Sequence, residues 1–278
     1  MKLDSINFRV VTAQPDFLAR IIQINADSDR CFQEMDSLLR SDQGAVSLIL
    51  RVANSAMYSR GKHINTIPHA INLLGINVIR SLAILSVSRS IFTQSKNRLI
   101  KKHVWQHSLL TALACQQICT KLGEKKLGEE AFVAGLLHDI GKVLIFNNCP
   151  DEYIKILDYA LQKPCDCAEA EQKFLEINHH DVGRKAILEW KLPGHFGNYV
   201  STNLEQLSPD QIQDKVLHFL AIANSLVKSS GIGGYYFDLP VRKEKLMNLG
   251  ASDNLSDYVL EESFMQQLIQ NEIYLLCV

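Results

Sequence analysis

Glycine (14) and proline (7) are scarce in this 278-residue chain, and few segments alternate apolar and polar residues with a period of two. Scarce turn-formers and little strand periodicity argue against a sheet-rich protein and leave a mostly helical one. No long stretch is free of charge. The most apolar, Ile71 to Phe92, carries Arg80 and Arg89 and reads as a buried helix, so no membrane is expected. The start, Met1-Lys2-Leu3-Asp4-Ser5, lacks the apolar core of a signal peptide. An excess of charge is missing as well. A formal net charge of -1 gives no reason to expect nucleic acid, and the pairs Lys101-Lys102 and Lys125-Lys126 read as solvated helix ends. The seven cysteines are odd in number and lack disulfide-framework spacing, which suits a reducing cytosol. Cys165 and Cys167 lie too close together in a loop for a zinc knuckle and read as bystanders. The expected location is cytoplasmic.

What is present is helical periodicity around an apolar fraction of 47%. Phe17, Leu18, Ile21 and Ile22 mark one amphipathic run after Pro15, and Phe32 to Leu39 a second. Ser41-Asp42-Gln43-Gly44 is a break with capping side chains, followed by the apolar face of Val46, Ile49, Leu50 and Ala53. Asn54 and Ser55 end that helix and hydrogen-bond the loop beyond, and Ser59-Arg60-Gly61-Lys62 reads as loop. Pro68 suits a first helical turn, and Gly75 separates a short helix from a long one. Further on, Val104, His107, Thr111, Ala114, Ile118 and Leu122 recur at three-to-four spacing, which puts His107 on a buried stripe. Glu130 to Ile140 is apolar nearly all round and therefore central, with Gly135 admitting a close neighbour. Lys163 to Asp166 breaks the chain. Helices follow from about Val182 to Trp190 and from Val216 to Val227, and Gly231 to Gly234 reads as a flexible link to an amphipathic tail.

The chemistry concentrates at His138-Asp139, in the run Leu136-Leu137-His138-Asp139-Ile140-Gly141-Lys142. Burying an imidazole beside a carboxylate costs several kcal/mol unless the groups are paired, hydrogen-bonded or metal-bound. The same two side chains are a natural start for a divalent-metal site.

Two ordered motifs carry a family resemblance. Leu50-Arg51-Val52-Ala53-Asn54-Ser55-Ala56-Met57-Tyr58 with Ile64-Asn65-Thr66-Ile67-Pro68-His69-Ala70-Ile71-Asn72-Leu73-Leu74-Gly75 resembles the first half of the HDOD family. Phe132 to Lys142, with Val182-Gly183 and Trp190-Lys191-Leu192-Pro193, resembles its second half. The resemblance implies an all-α fold of two helical lobes forming one HDOD unit over residues 11–230. A first lobe would span 11–95 and an HD-like lobe 96–230, with 231–278 a helical extension. It also implies a bacterial signalling or output module related to the HD and HD-GYP metal-dependent phosphohydrolases. In those relatives a histidine, a His-Asp pair and a later aspartate hold metal. His107, His138 and Asp139 match the first three positions, and His179 resembles a further histidine that helps hold a second metal.

The pattern then departs. The tandem histidines expected after Pro193 fall near Ser201-Thr202-Asn203, and the final aspartate falls at Asn224. No GYP signature is present; Gly234-Tyr235-Tyr236 reads as loop. A missing unit charge about 4 Å from a metal is worth on the order of 4 kcal/mol at an effective dielectric of 20. One divalent metal (iron, manganese or zinc) would therefore be held weakly or not at all.

Bland alternatives stand beside these readings. His107, His138 and Asp139 could form only a hydrogen-bonded cluster retained for folding. Lys142 would contact a substrate phosphate in an enzyme, or else serve as a helix C-terminal cation. His179 and His180 with Asp181 could simply cap a helix. His195 and His218 read as structural. Two functions result: a module that binds a protein or small-molecule signalling partner, in a groove near Asn54, His107 and His138, or a phosphohydrolase acting on a phosphoester or nucleotide.

Overall fold

The computed structural model describes residues 2–9, 15–56, 58–59, 61, 63–92, 95–163, 165–208, 212, 214–234 and 243–278. Arg60 and Lys62 of the expected loop, and Tyr235 and Tyr236, lie outside them. All regular secondary structure among the described residues is helical.

Five helices form the first lobe: α1 (Pro15–Gln23), α2 (Cys31–Leu39), α3 (Gln43–Ala53), α4 (Ile67–Leu74) and α5 (Ile76–Phe92). Their ends follow local chemistry. Asp42 caps α3 through the Ala45 amide, and Thr66 caps α4 two residues before Pro68, which locks the first turn. Gly75 takes φ 83° between α4 and α5, and the chain turns through 118° there. That bend, together with the burial of Leu82, Ala83, Ile84 and Leu85, places the most apolar stretch of the sequence inside the fold.

The second lobe opens with α6 (Arg98–Ile100), which runs through a π-helical turn, Lys101–Gln106, into α7 (His107–Lys121). It continues with α8 (Gly128–Leu137), α9 (Ile140–Asn148), α10 (Pro150–Gln162), α11 (Cys167–Leu175), α12 (His179–Glu189), α13 (Phe196–Ser201) and α14 (Lys215–Ser229). α7 and α8 are its axis. A Cβ on Gly135 would lie 2.5 Å from the Ala112 Cα, so the two helices meet backbone to backbone, as the sequence requires. The expected helix from Glu130 to Ile140 is corrected: it breaks at His138 and Asp139, and α9 starts afresh. Gly141 in α9 lies so close to α12 that a Cβ would overlap the His179 carbonyl oxygen.

α5 packs on α8 between the lobes, where the Arg80 guanidinium pairs with Glu129 and its Nη1 donates to the Ile24 carbonyl. One hydrophobic core runs through both lobes. The tail comprises α15 (Lys243–Asn248), α16 (Asp253–Leu260), α17 (Glu262–Ile269) and α18 (Glu272–Cys277), with α17 lying on α7.

Candidate metal centre

The break between α8 and α9, the start of α7, the start of α12 and the middle of α14 converge on one point. His107 and His138 are buried there, their Nε2 atoms 3.2 Å apart. Each ring is oriented through its other nitrogen: His107 Nδ1 donates to the Ile232 carbonyl at 3.0 Å and His138 Nδ1 to the Gly135 carbonyl at 2.8 Å. A carbonyl only accepts, so both Nδ1 atoms carry the hydrogen and both Nε2 atoms of the neutral rings present lone pairs. Burial keeps them neutral, pushing the His107 pKa well below the ordinary value and that of His138 down as well.

Asn224 faces this point. Its Oδ1 lies 3.0 Å from His107 Nε2, a matter decided by the rotation of α14. Asp139 Oδ2 lies 3.4 Å from His138 Nε2 and 3.7 Å from His107 Nε2. Acceptors this close repel unless a cation lies among them or a donor is turned in. A cation about 2.1 Å from each ligand sets neighbouring ligand atoms about 3.0–3.4 Å apart in octahedral or tetrahedral geometry, close to the spacing observed. These residues fit a divalent metal. The bland alternative is the Asn224 amide turned over, so that Nδ2 donates to His107 and closes the cluster without one.

His179 approaches from the α12 side, its Nε2 3.7 Å from Asp139 Oδ1. Its Nδ1 and backbone N–H both lie 2.6 Å from Glu171 Oε2. Glu171 is fully buried and also accepts from Tyr153 Oη at 2.6 Å and from the Cys167 thiol at 3.3 Å. Burial alone would raise its pKa; His179 and the hydrogen bonds outweigh that and hold it down. The group is a set of donors around an anion that fixes the His179 tautomer. Cys167 is therefore no loop bystander: it opens α11 and belongs to the support of the site. Glu171 went unread in the sequence, although Cys167, Glu171 and Leu175 mark an i, i+4, i+8 stripe in which a carboxylate among apolar residues was the signal.

Two ammonium groups share the space. Lys142 Nζ lies 2.8 Å from Asp139 Oδ2. It is buried in the first turn of α9, which corrects the alternative reading as a helix C-terminal cation. Burial opposes the charge of both partners, yet the ion pair prevails: the Lys142 pKa is raised, and Asp139, with the histidines also around it, is held well below the carboxylate range. Lys228, on α14 four residues after Asn224, pairs with Glu205, and burial followed by repulsion from Lys142 brings its pKa to about 8.

Thr202, Asn203, Leu204 and Glu205 roof the site, so the segment where tandem histidines were expected does reach the cavity wall. The cavity beneath is about 20 Å³. Among the described residues, Asn54 and His138 line two different cavities rather than the one expected groove near Asn54, His107 and His138. Asn54 lines a separate open groove of about 870 Å³ in the first lobe, with Leu50, Arg51, His63 and Ile64. There its side chain accepts from the Ile64 amide at 2.8 Å and donates to the Ile64 carbonyl at 2.6 Å, ending α3 and fixing the following loop. His195 is half exposed, near Glu130, and His218 stacks on Phe219; neither reaches the site.

The comparisons with known proteins agree with this architecture. The chain resembles an HDOD domain protein of unknown function from Geobacter sulfurreducens, with TM-score 0.76 and 23% identity over 95% of this chain and 91% of that one. A proposed phosphohydrolase from Shewanella amazonensis superposes with TM-score 0.68 at 22% identity, covering 95% and 94% of the two chains. A proposed signal transduction protein from Marinobacter aquaeolei gives 0.72 at 16%, covering 95% of this chain and 58% of that protein. An uncharacterized Treponema pallidum protein is 22% identical over 179 residues, 64% of this chain and only 34% of that protein's length. The profile of the HDOD domain matches residues 11–204. With more than half its length so matched, and its helices arranged as in these relatives, the chain belongs to the HDOD domain family.

Proposed function

We propose that this chain is a cytoplasmic bacterial signalling module that binds a protein or small-molecule partner, holds at most one divalent metal weakly, and is not a robust hydrolase. The observation that carries this reading is how little room the site has. A cavity of about 20 Å³ has room for about one water. A phosphoester, with its five or more heavy atoms, is larger than this space. Lys142 already occupies one oxygen of Asp139, and Asn224 replaces the last carboxylate. His107 Nε2, His138 Nε2, Asp139 and the Asn224 oxygen would hold the metal; a metal there would supply charge rather than an open position for a reacting water. The roomier groove beside Asn54 adds support for a binding role that does not use the histidines.

The rival reading, a metal-dependent phosphohydrolase, draws on the convergent lone pairs and on the name of the Shewanella amazonensis relative. The test is elemental analysis of protein purified without chelator or histidine tag, beside His138→Ala, with hydrolysis of bis(p-nitrophenyl) phosphate measured on both. The proposal expects substoichiometric metal and no turnover. Full metal occupancy and turnover, both abolished by His138→Ala, would establish the enzyme instead.

A further inference from the structure

The π-helical turn before His107 is gripped by the C-terminal part of the chain on two sides. On one side His103 Nδ1 accepts from the Gly233 amide at 3.2 Å and His107 Nδ1 donates to the Ile232 carbonyl at 3.0 Å. On the other, buried Trp105 donates its indole N–H to the Cys277 carbonyl at 3.0 Å and packs on Phe92, ring centroids 5.5 Å apart. The segment Gly231–Gly234 is thus no loose link. Gly233 holds φ 78°, and a Cβ there would overlap the His107 ring; a Cβ on Gly234 would overlap the Lys228 carbonyl at the end of α14. The strap presses on the His107 side chain, and only glycine permits it there. A π turn inside a helix is rare and is often found at a functional position.

Resting on the metal reading above, we infer that filling the histidine site and docking the C-terminal extension are linked equilibria, joined through Ile232, Gly233 and the π turn. His107 can offer Nε2 to a metal only while its ring is held with Nδ1–H turned away, and the Ile232 carbonyl supplies that hold. Loss of such an orienting partner costs metal sites about 10–100-fold in affinity. Linkage is reciprocal, so a metal that needs the docked strap stabilises it by the same factor. The extension then reports the state of the site, as an output module requires.

The experiment is hydrogen exchange of the full chain with and without zinc, beside zinc titration calorimetry of wild type, Gly233→Ala, Trp105→Phe and His138→Ala. Zinc is expected to slow exchange in 231–234 and 243–278 of wild type, and Gly233→Ala to bind zinc about 10–100-fold more weakly. Trp105→Phe removes the bond to Cys277 along with part of the packing on Phe92, and checks the same link from the far side whether or not Gly233→Ala folds; weaker zinc binding is expected. Zinc binding to wild type without altered exchange, or with unchanged affinity in Trp105→Phe, would overturn the linkage and leave the metal site standing. Equal zinc protection in His138→Ala would overturn it too. No zinc binding by wild type at all would overturn the metal reading and the linkage together.

Discussion

Lys142 Nζ lies 2.8 Å from Asp139 Oδ2, an ion pair inside the ring of histidines that would hold a metal. The ammonium occupies one side of the carboxylate and competes with a cation for it. Lys142→Met should strand the buried carboxylate and destabilise the metal-free protein by about 3–5 kcal/mol. Added manganese should then raise the melting temperature of the variant more than that of wild type. Thermal unfolding with and without manganese measures both effects.

Asn224→Asp restores the charge at the final ligand position. With one unit charge about 4 Å away worth on the order of 4 kcal/mol at an effective dielectric of 20, divalent affinity should rise by about two to three decades. The metal-free variant should be less stable than wild type, since a second carboxylate joins Asp139. Calorimetric titration with zinc checks the first part and urea unfolding the second.

Glu171→Gln leaves the shape of its site while removing the anion that accepts from His179, Tyr153 and Cys167. Hydrogen bonds to a buried charge contribute about 1.5–3 kcal/mol each, so a loss of about 3 kcal/mol in urea unfolding is expected. Tyr153→Phe, which removes one donor and keeps the anion, should cost less. An equal loss in the two variants would contradict the assignment of Glu171 as the centre of the network.

Stability should fall as the pH drops below about 6.5 in the presence of chelator. His103 is pushed to about 4 by burial, with Lys102 and Lys142 adding, and His180 to about 2 by burial and then His179. The folded state keeps these rings neutral while the unfolded chain takes up protons below 6.5, so protonation favours unfolding. Two such imidazoles give a slope of about 3 kcal/mol per pH unit, and His107 and His138 act in the same direction. Asp139 and Glu171 have depressed values; their contribution is full above about pH 4.5 and is lost only below it. A flat urea midpoint between pH 7.5 and 5.5 would contradict neutral buried histidines.

Much was legible before folding. Periodicity placed the helices of the first lobe and put His107 on a buried stripe, and a glycine in an apolar helix announced the close approach at Gly135, while α10, α11 and α13 went unread. The His138-Asp139 pair announced itself as costly to bury wherever the chain might put it. Three things were decided only in three dimensions. The side Asn224 faces depends on the rotation of α14 about its axis, which packing against α7 and α8 sets. Spacing marks Glu171 as buried, but that it faces His179 comes from how α11 and α12 stack; Lys142 holds Asp139 three residues away, a local pair whose burial only the surrounding helices decide. The strap at Gly233 meets His107 across 126 positions of chain, a contact that exists because α7 and α14 lie side by side. Local chemistry wrote the His-Asp pair into the sequence, and tertiary packing gathered the other side chains around it.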